Sequence, residues 1–140
     1  MVPPSVQQFI LSLLQSTIGT SIRAIRFISI RGGSINQSFQ VTANTGQRFF
    51  AKINLLGELP GLFLHEKEGL TSLADLRIFR IPAVIGQGEA GAHQVLVLEW
   101  VETGIKTPKF WKRLGEQLAL MHSKPTDISI SPGYFGLGYR

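Results

Sequence analysis

Cysteine is absent from this sequence. A disulfide framework, a thiolate metal site and thiol redox chemistry are therefore excluded. Long apolar runs are also missing, because no segment approaches the ~20 consecutive apolar residues that a membrane-spanning helix requires. The 140 residues, 44% of them hydrophobic and 16% charged, fit a globular chain of about one domain. These features predict a soluble protein without a membrane partner.

The N-terminal segment, MVPPSVQQFILSLLQSTIG, has little of what a secretory signal needs. It lacks a basic start, and Gln7, Gln8, Ser12 and Gln15 interrupt its apolar stretch. The sequence therefore predicts a cytoplasmic location.

Basic residues outnumber acidic ones by 14 to 9, which gives a net charge of +5. Such an excess suits an anionic ligand or a nucleic acid. The basic residues are scattered, however, and form no dense run interleaved with aromatic residues. We expect no nucleic-acid partner, whereas a small phosphorylated ligand fits this charge equally well.

Hydrophobic periodicity divides the chain into helices and strands. Residues 22–30 and 38–43 alternate as strands around a glycine-rich loop, and RFFAKINL predicts a third strand. With their short connections, these three strands predict an antiparallel meander. A fourth strand is predicted in AVIGQG and a fifth, buried on both faces, in HQVLVLEWV. Helices are predicted from a capping box at Ser5 up to Gly19, over 60–75, and over FWKRLGEQLALMH.

The glycine-rich stretch RGGSINQSFQV, residues 31–41, reads locally as an ordinary hairpin turn. Its context changes that interpretation. The third strand carries Lys52 at its centre, and the following helix carries Glu66 and Glu68. Protein-kinase-like enzymes use this arrangement to hold the phosphates of ATP. Taken alone, a strand lysine is usually solvated and helix glutamates are usually surface charges, so the order of the elements carries the argument.

Five motifs in order resemble the N-terminal lobe of the fructosamine kinase (ketosamine kinase) family, which is related to aminoglycoside phosphotransferases. They are RGGSINQSF, FFAKIN, HEKEGLTSL, IPAVIGQGEAGAHQVLVLEWV and LGEQLALMH. The resemblance implies an α+β, protein-kinase-like lobe: a five-stranded antiparallel sheet with a packed helix, an N-terminal helix, and the first helix of a truncated C-terminal lobe. It places the ATP-binding lobe at 1–101 and the linker with the start of the C-terminal lobe at 102–140.

The resemblance also implies a cofactor-binding site for ATP. Lys52 matches the lysine that binds phosphate, and Glu66 matches the helix glutamate that pairs with it, with Glu68 as the fallback. At the hinge between lobes, the Glu99 carbonyl would accept from the adenine amino group and the Val101 amide would donate to the ring. The glycine-rich loop would cover the phosphates through Gly32, Gly33 and Ser34.

Catalytic and metal residues are not assigned within these 140 residues. The three histidines show no metal-ligand spacing. By the resemblance, the catalytic base and the Mg²⁺ ligands lie downstream, so the chain alone is expected to bind ATP weakly and to lack turnover. The stripe formed by Trp111, Leu114, Leu118 and Met121 has core spacing, and without the rest of a C-terminal lobe it would favour self-association.

The function implied by the resemblance is phosphorylation of the 3-hydroxyl of a ketosamine, which destabilises the adduct and releases the amine, a protein-deglycation reaction. The complete enzyme would act on a small-molecule or glycated-amine substrate. Two alternatives remain open at this stage. One is a non-catalytic, truncated nucleotide-binding or interaction module, and the other is a choline-type or aminoglycoside-type kinase on the same fold.

Overall fold

A computed structural model describes residues 1–31 and 36–123 of the chain. The predicted order of helices and strands is confirmed, and with it the α+β class. The elements are α1 (Pro4–Thr17), β1 (Ile25–Ile30), β2 (Gln37–Ala43), β3 (Arg48–Leu55), α2 (Leu62–Asp75), β4 (Val84–Ala90), β5 (His93–Glu99) and α3 (Phe110–Ser123).

The five strands form one antiparallel sheet in the order β1-β2-β3-β5-β4. The first three strands pair in sequence as the predicted meander. Strand β5 lies between β3 and β4, so it is paired on both sides, and its five central residues are buried. This burial explains its nearly continuous apolar sequence.

Helix α1 begins differently from the prediction. Pro3 occupies the N-cap position and Pro4 the first turn, while no side chain caps the helix. The capping box predicted at Ser5 is therefore wrong. Proline presets a helical φ and has no N–H that needs a partner, so the two prolines start this helix without a capping hydroxyl.

Several strand ends also differ from the prediction; β4, predicted in AVIGQG, runs from Val84 to Ala90. Strand β1 starts at Ile25 rather than at residue 22, because the Asn44 side chain holds the preceding segment. Its Oδ1 accepts from the amides of Arg23 at 2.8 Å and Ala24 at 3.2 Å. Strand β5 ends at Glu99, two residues before the predicted end.

Helix α1 covers one face of the sheet and supplies the larger core. Val6, Ile10 and Leu14 on its inner face are fully buried. The helix lies very close to β4, where a Cβ on Gly86 would stand 2.6 Å from Leu13 and one on Gly88 would stand 2.7 Å from Phe9. The two glycines therefore permit this close approach.

Helix α2 covers the opposite face with a smaller core. Phe63, which is fully buried, packs with Leu96 and Leu98 of β5. The sheet thus lies between two helices, and the two faces of each central strand meet different helices.

Helix α3 buries none of its residues among those described. Its Gln117 side chain donates to the Ile78 carbonyl at 2.7 Å. Two members of the predicted apolar stripe are exposed among the described residues, Trp111 at 67% and Leu118 at 39%. Within residues 1–31 and 36–123, no helix has the length and apolar character to cross a bilayer.

Candidate functional site

The side chain of Lys52 lies on the α2 face of the sheet. Its neighbours Ala51 and Ile53 are buried in the core on the α1 side, and side chains alternate between the faces of a strand. Across the sheet, Lys52 pairs with Ser38 of β2 and Leu96 of β5. Strand alternation alone therefore directs this ammonium group toward helix α2.

Glu66 meets Lys52 in a bidentate ion pair. The Lys52 Nζ donates to both Glu66 carboxylate oxygens, each at 2.7 Å. The two side chains are 20% and 27% exposed, so the pair is shielded more than a surface ion pair yet remains within reach of a ligand. Charge-assisted bonds of this length are among the stronger hydrogen bonds in proteins.

The geometry of α2 explains why the partner is Glu66 and not Glu68. Residues two positions apart on an α-helix point about 200° apart around its axis. Glu66 faces the sheet and is half-buried, whereas Glu68 is exposed. The fallback assignment of Glu68 is therefore not supported by the geometry.

The Phe63 ring packs beneath this ion pair. The Lys52 Nζ lies 5.8 Å from the centre of the Phe63 ring, a distance at which the ring face attracts a cation. Sequence reasoning missed this residue, although a signal was present. Phe63, Glu66 and Leu70 are three and four residues apart, which places them along one stripe of the helix.

Gln94 of β5 fixes the start of α2. Gly61 occupies the N-cap position of the helix and provides no side-chain cap. The Gln94 amide donates to the Leu59 carbonyl at 2.7 Å, and its oxygen accepts a longer bond from the Phe63 amide at 3.5 Å. Gln94 is only 4% exposed. The strand next to Lys52 thus anchors the helix that carries Glu66.

Glu99 ends β5 and is bonded through its side chain as well as its backbone. Its amide donates to the Ala83 carbonyl at 2.8 Å. Its carboxylate accepts from the Ala83 amide at 3.2 Å and from the Arg80 guanidinium at 2.8 Å. These two donors, first the Ala83 amide and then Arg80, lower the pKa of the Glu99 carboxyl below its ordinary value.

The chain beyond Glu99 is braced from the β3 side. The Arg48 guanidinium forms an ion pair with Glu102 and lies 5.7 Å from the centre of the Trp100 ring. Val101, between these two residues, is 40% exposed. The segment after β5 therefore lies against the start of β3 through the side chains of Trp100 and Glu102.

The structure brings together only some of the residues that the sequence predicts for the site. Lys52 and Glu66 are in direct contact. Glu99 lies three residues beyond Leu96, the β5 partner of Lys52, which is about 10 Å along the strand. Gly32, Gly33 and Ser34 lie outside the described residues. In the described part of the chain, no group of three histidine or acidic residues could hold a metal ion.

A five-stranded antiparallel sheet in this order, with a helix glutamate paired to the central lysine of the third strand, defines the N-terminal lobe of a protein-kinase-like fold. Two crystal structures share this fold. The "Putative fructosamine-3-kinase" from Haemophilus somnus 129PT superimposes with a TM-score of 0.68 at 22% identity over 82% of this chain. The "putative fructosamine-3-kinase" from Thermobifida fusca gives 0.55 at 26% identity over 80%.

The chain belongs to the fructosamine kinase family. The family model "Fructosamine kinase" matches residues 6–138. A Synechocystis protein named "Probable ketoamine kinase" is 33% identical over 119 residues, which are 85% of this chain. An uncharacterised Staphylococcus aureus protein is 30% identical over 105 residues, covering 75% of this chain and 78% of that protein.

The chain spans 40% of the length of the Synechocystis protein. It also spans 38% of each of the two crystallised chains.

Proposed function

We propose that residues 1–101 form the ATP-binding lobe of an ATP-dependent kinase of the fructosamine kinase family, with 102–140 forming the linker and the start of a C-terminal lobe. The observation that carries this proposal is the bidentate ion pair between Lys52 and Glu66. Such a pair holds a cation at a fixed place on the sheet while leaving it partly accessible.

The chemistry of the Lys52 ammonium group supports a phosphate contact. An ammonium carries three N–H donors, and Glu66 accepts two of them. The third can point at a phosphate oxygen without breaking the pair. Glu66 then acts as the group that orients Lys52, and the Phe63 ring beneath it restricts the remaining freedom of the side chain.

Adenine would bind at the end of β5. In this proposal the Glu99 carbonyl accepts from the adenine amino group and the Val101 amide donates to the ring. A segment that leaves a sheet has backbone groups without ladder partners, and an adenine edge can satisfy them. Gly32, Gly33 and Ser34 would cover the phosphates, and this part of the proposal rests on the sequence.

Mg²⁺ supplies charge neutralisation in phosphoryl transfer when it is bound. The described residues do not fit such an ion by themselves, since both oxygens of Glu66 already accept from Lys52.

The substrate of the complete enzyme belongs to the same proposal. We propose a ketosamine as the acceptor, phosphorylated on the sugar 3-hydroxyl in a deglycation reaction in the cytoplasm. The family description and the name of the Synechocystis relative support this class of acceptor.

The nucleotide proposal is tested by titrating the 140-residue chain with ATP and following NMR chemical shifts. Replacing Lys52 by alanine is expected to weaken ATP binding about 10-fold or more, because a hydrogen bond to a charged group contributes ~1.5–3 kcal/mol. Lys67→Ala is the matched control: it removes a lysine from exposed α2 surface and is expected to leave the affinity within twofold of the original.

Two results would contradict the proposal. Equal ATP affinity in the Lys52→Ala variant and the unmodified chain would remove the phosphate role of Lys52. Absence of saturable binding at millimolar ATP would remove the nucleotide role of the isolated lobe. Circular dichroism of each variant separates lost binding from lost folding.

A further inference from the structure

The residue pair next to the end of the β4–β5 ladder departs from the ordinary antiparallel hydrogen-bond pattern. The register pairs Val84 with Leu98, so the next pair outward is Ala83 with Glu99. In a closed hydrogen-bonded pair, each residue donates its N–H to the carbonyl of the other. Here the Glu99 amide donates to the Ala83 carbonyl at 2.8 Å, but the Ala83 amide donates to the Glu99 carboxylate at 3.2 Å.

The side chain of Glu99 thus replaces its own main-chain carbonyl as the acceptor for Ala83. The second carboxylate oxygen accepts from the Arg80 guanidinium at 2.8 Å. Both oxygens therefore have donors, and the carboxylate is fixed over the end of the strand. The glutamate side chain is long enough for one oxygen to reach the opposite amide while the other stays bonded to Arg80.

We propose that the Glu99 carboxylate is a positioning group, which takes the Ala83 N–H so that the Glu99 carbonyl is left to accept the exocyclic amino group of adenine. This inference rests on the nucleotide proposal above and adds a role for the side chain. The Glu99 carbonyl recognises the base. The Glu99 carboxylate accepts the Ala83 N–H, so the carbonyl makes no hydrogen bond to β4.

A consequence for nucleotide choice follows from the donor and acceptor pattern. A carbonyl oxygen raises the affinity for a base that carries an amino donor at this position, because the two form a hydrogen bond. A base with only hydrogen at this position forms no such hydrogen bond. A base with a keto oxygen at this position is repelled by the carbonyl oxygen. ATP and purine riboside triphosphate differ only by this amino group, so the ratio of their affinities measures the bond to the carbonyl.

The chain offers a conservative variant and a matched control for this test. Glu99→Gln keeps an oxygen that can accept from Ala83, whereas Glu99→Ala removes it and lets the Ala83 amide turn to the carbonyl of residue 99. Glu89→Ala removes an exposed carboxylate near the other end of β4 and leaves the bond between the Ala83 amide and the Glu99 carboxylate intact.

The experiment measures the affinity of the 140-residue chain for the two nucleotides. We expect the unmodified chain to prefer ATP by about 2- to 10-fold, the range for one neutral hydrogen bond. Glu99→Gln and Glu89→Ala are expected to keep that preference. Glu99→Ala is expected to reduce it to about 1 while retaining the affinity for purine riboside triphosphate, which a general loss of folding would not do.

A second readout needs no nucleotide. In the unmodified chain, the ¹⁵N shift of the Ala83 amide is expected to follow the titration of Glu99, with a midpoint below the ordinary glutamate pKa. The inflection reports the carboxylate that accepts from this amide. The inflection is expected to disappear in Glu99→Gln and Glu99→Ala.

The outcomes separate this inference from the nucleotide proposal. If both nucleotides bind equally to the unmodified chain, or if Glu99→Ala keeps the preference for ATP, the positioning role is overturned and the ATP-binding lobe stands. An Ala83 amide that shows no inflection also overturns the positioning role. If neither nucleotide binds, the nucleotide proposal fails and the adenine role of the carbonyl fails with it.

Discussion

Replacing Phe63 by alanine is expected to lower the free energy of unfolding by about 3–5 kcal/mol, the usual cost of removing a buried phenylalanine. Phe63 has no exposed surface and is the largest member of the core between α2 and the sheet. Small domains have a total stability of only ~5–15 kcal/mol. This one substitution therefore removes a large part of the stability.

Urea denaturation followed by circular dichroism measures this effect. Leu64→Ala is the matched control, because Leu64 is the next residue on the same helix and is 45% exposed, and we expect its cost to stay within about 0.5 kcal/mol. Equal destabilisation by the two variants would mean that α2 is not held by its buried face. Phe63→Leu, which keeps most of the apolar volume, is expected to fall between the two.

Reversing the charge of Glu66 with Glu66→Lys is expected to destabilise the chain and to abolish ATP binding. Two ammonium groups would then share a site in which the present side chains are 20% and 27% exposed. The cost should lie between the ~0–1 kcal/mol of exposed ion pairs and the ~3–5 kcal/mol of broken buried pairs. Glu68→Lys, on the exposed side of α2, is the control and should change stability little.

The charge swap separates the structural role of this pair from its proposed role in binding. Combining Lys52→Glu with Glu66→Lys restores opposite charges, so we expect most of the stability lost in Glu66→Lys to return. ATP binding should stay lost, because a carboxylate on β3 would repel the phosphates. Recovery of ATP binding in the swapped chain would show that the position of the cation on β3 is not what the nucleotide requires.

The sequence was sufficient to predict which segments form helices and strands, because their apolar residues recur with different periods. It also placed Lys52 in the centre of β3 and proposed Glu66 as its partner, and the structure brings these two side chains into contact. The position of Lys52 follows from local pattern and the order of elements, which a single sequence displays directly, whereas the choice of Glu66 over Glu68 came from the family resemblance.

Features that depend on contacts between distant residues could not be predicted in this way. The early end of β5 goes with the opening of the pair between Ala83 and Glu99, residues on separate strands. The anchoring of α2 by Gln94 joins positions 31 residues apart. Trp111 has core spacing within its helix, but spacing cannot show whether a surface is present to cover it.

The two faces of the sheet carry cores of unequal size, a large one under α1 and a small one under α2. Proteins open locally in units whose cost follows the apolar contacts that must be broken. Helix α2 can therefore detach, carrying Glu66 away from Lys52, at a lower free energy than global unfolding requires. Amide hydrogens of α2 should exchange with solvent through this local opening, whereas those of α1 should exchange only through global unfolding.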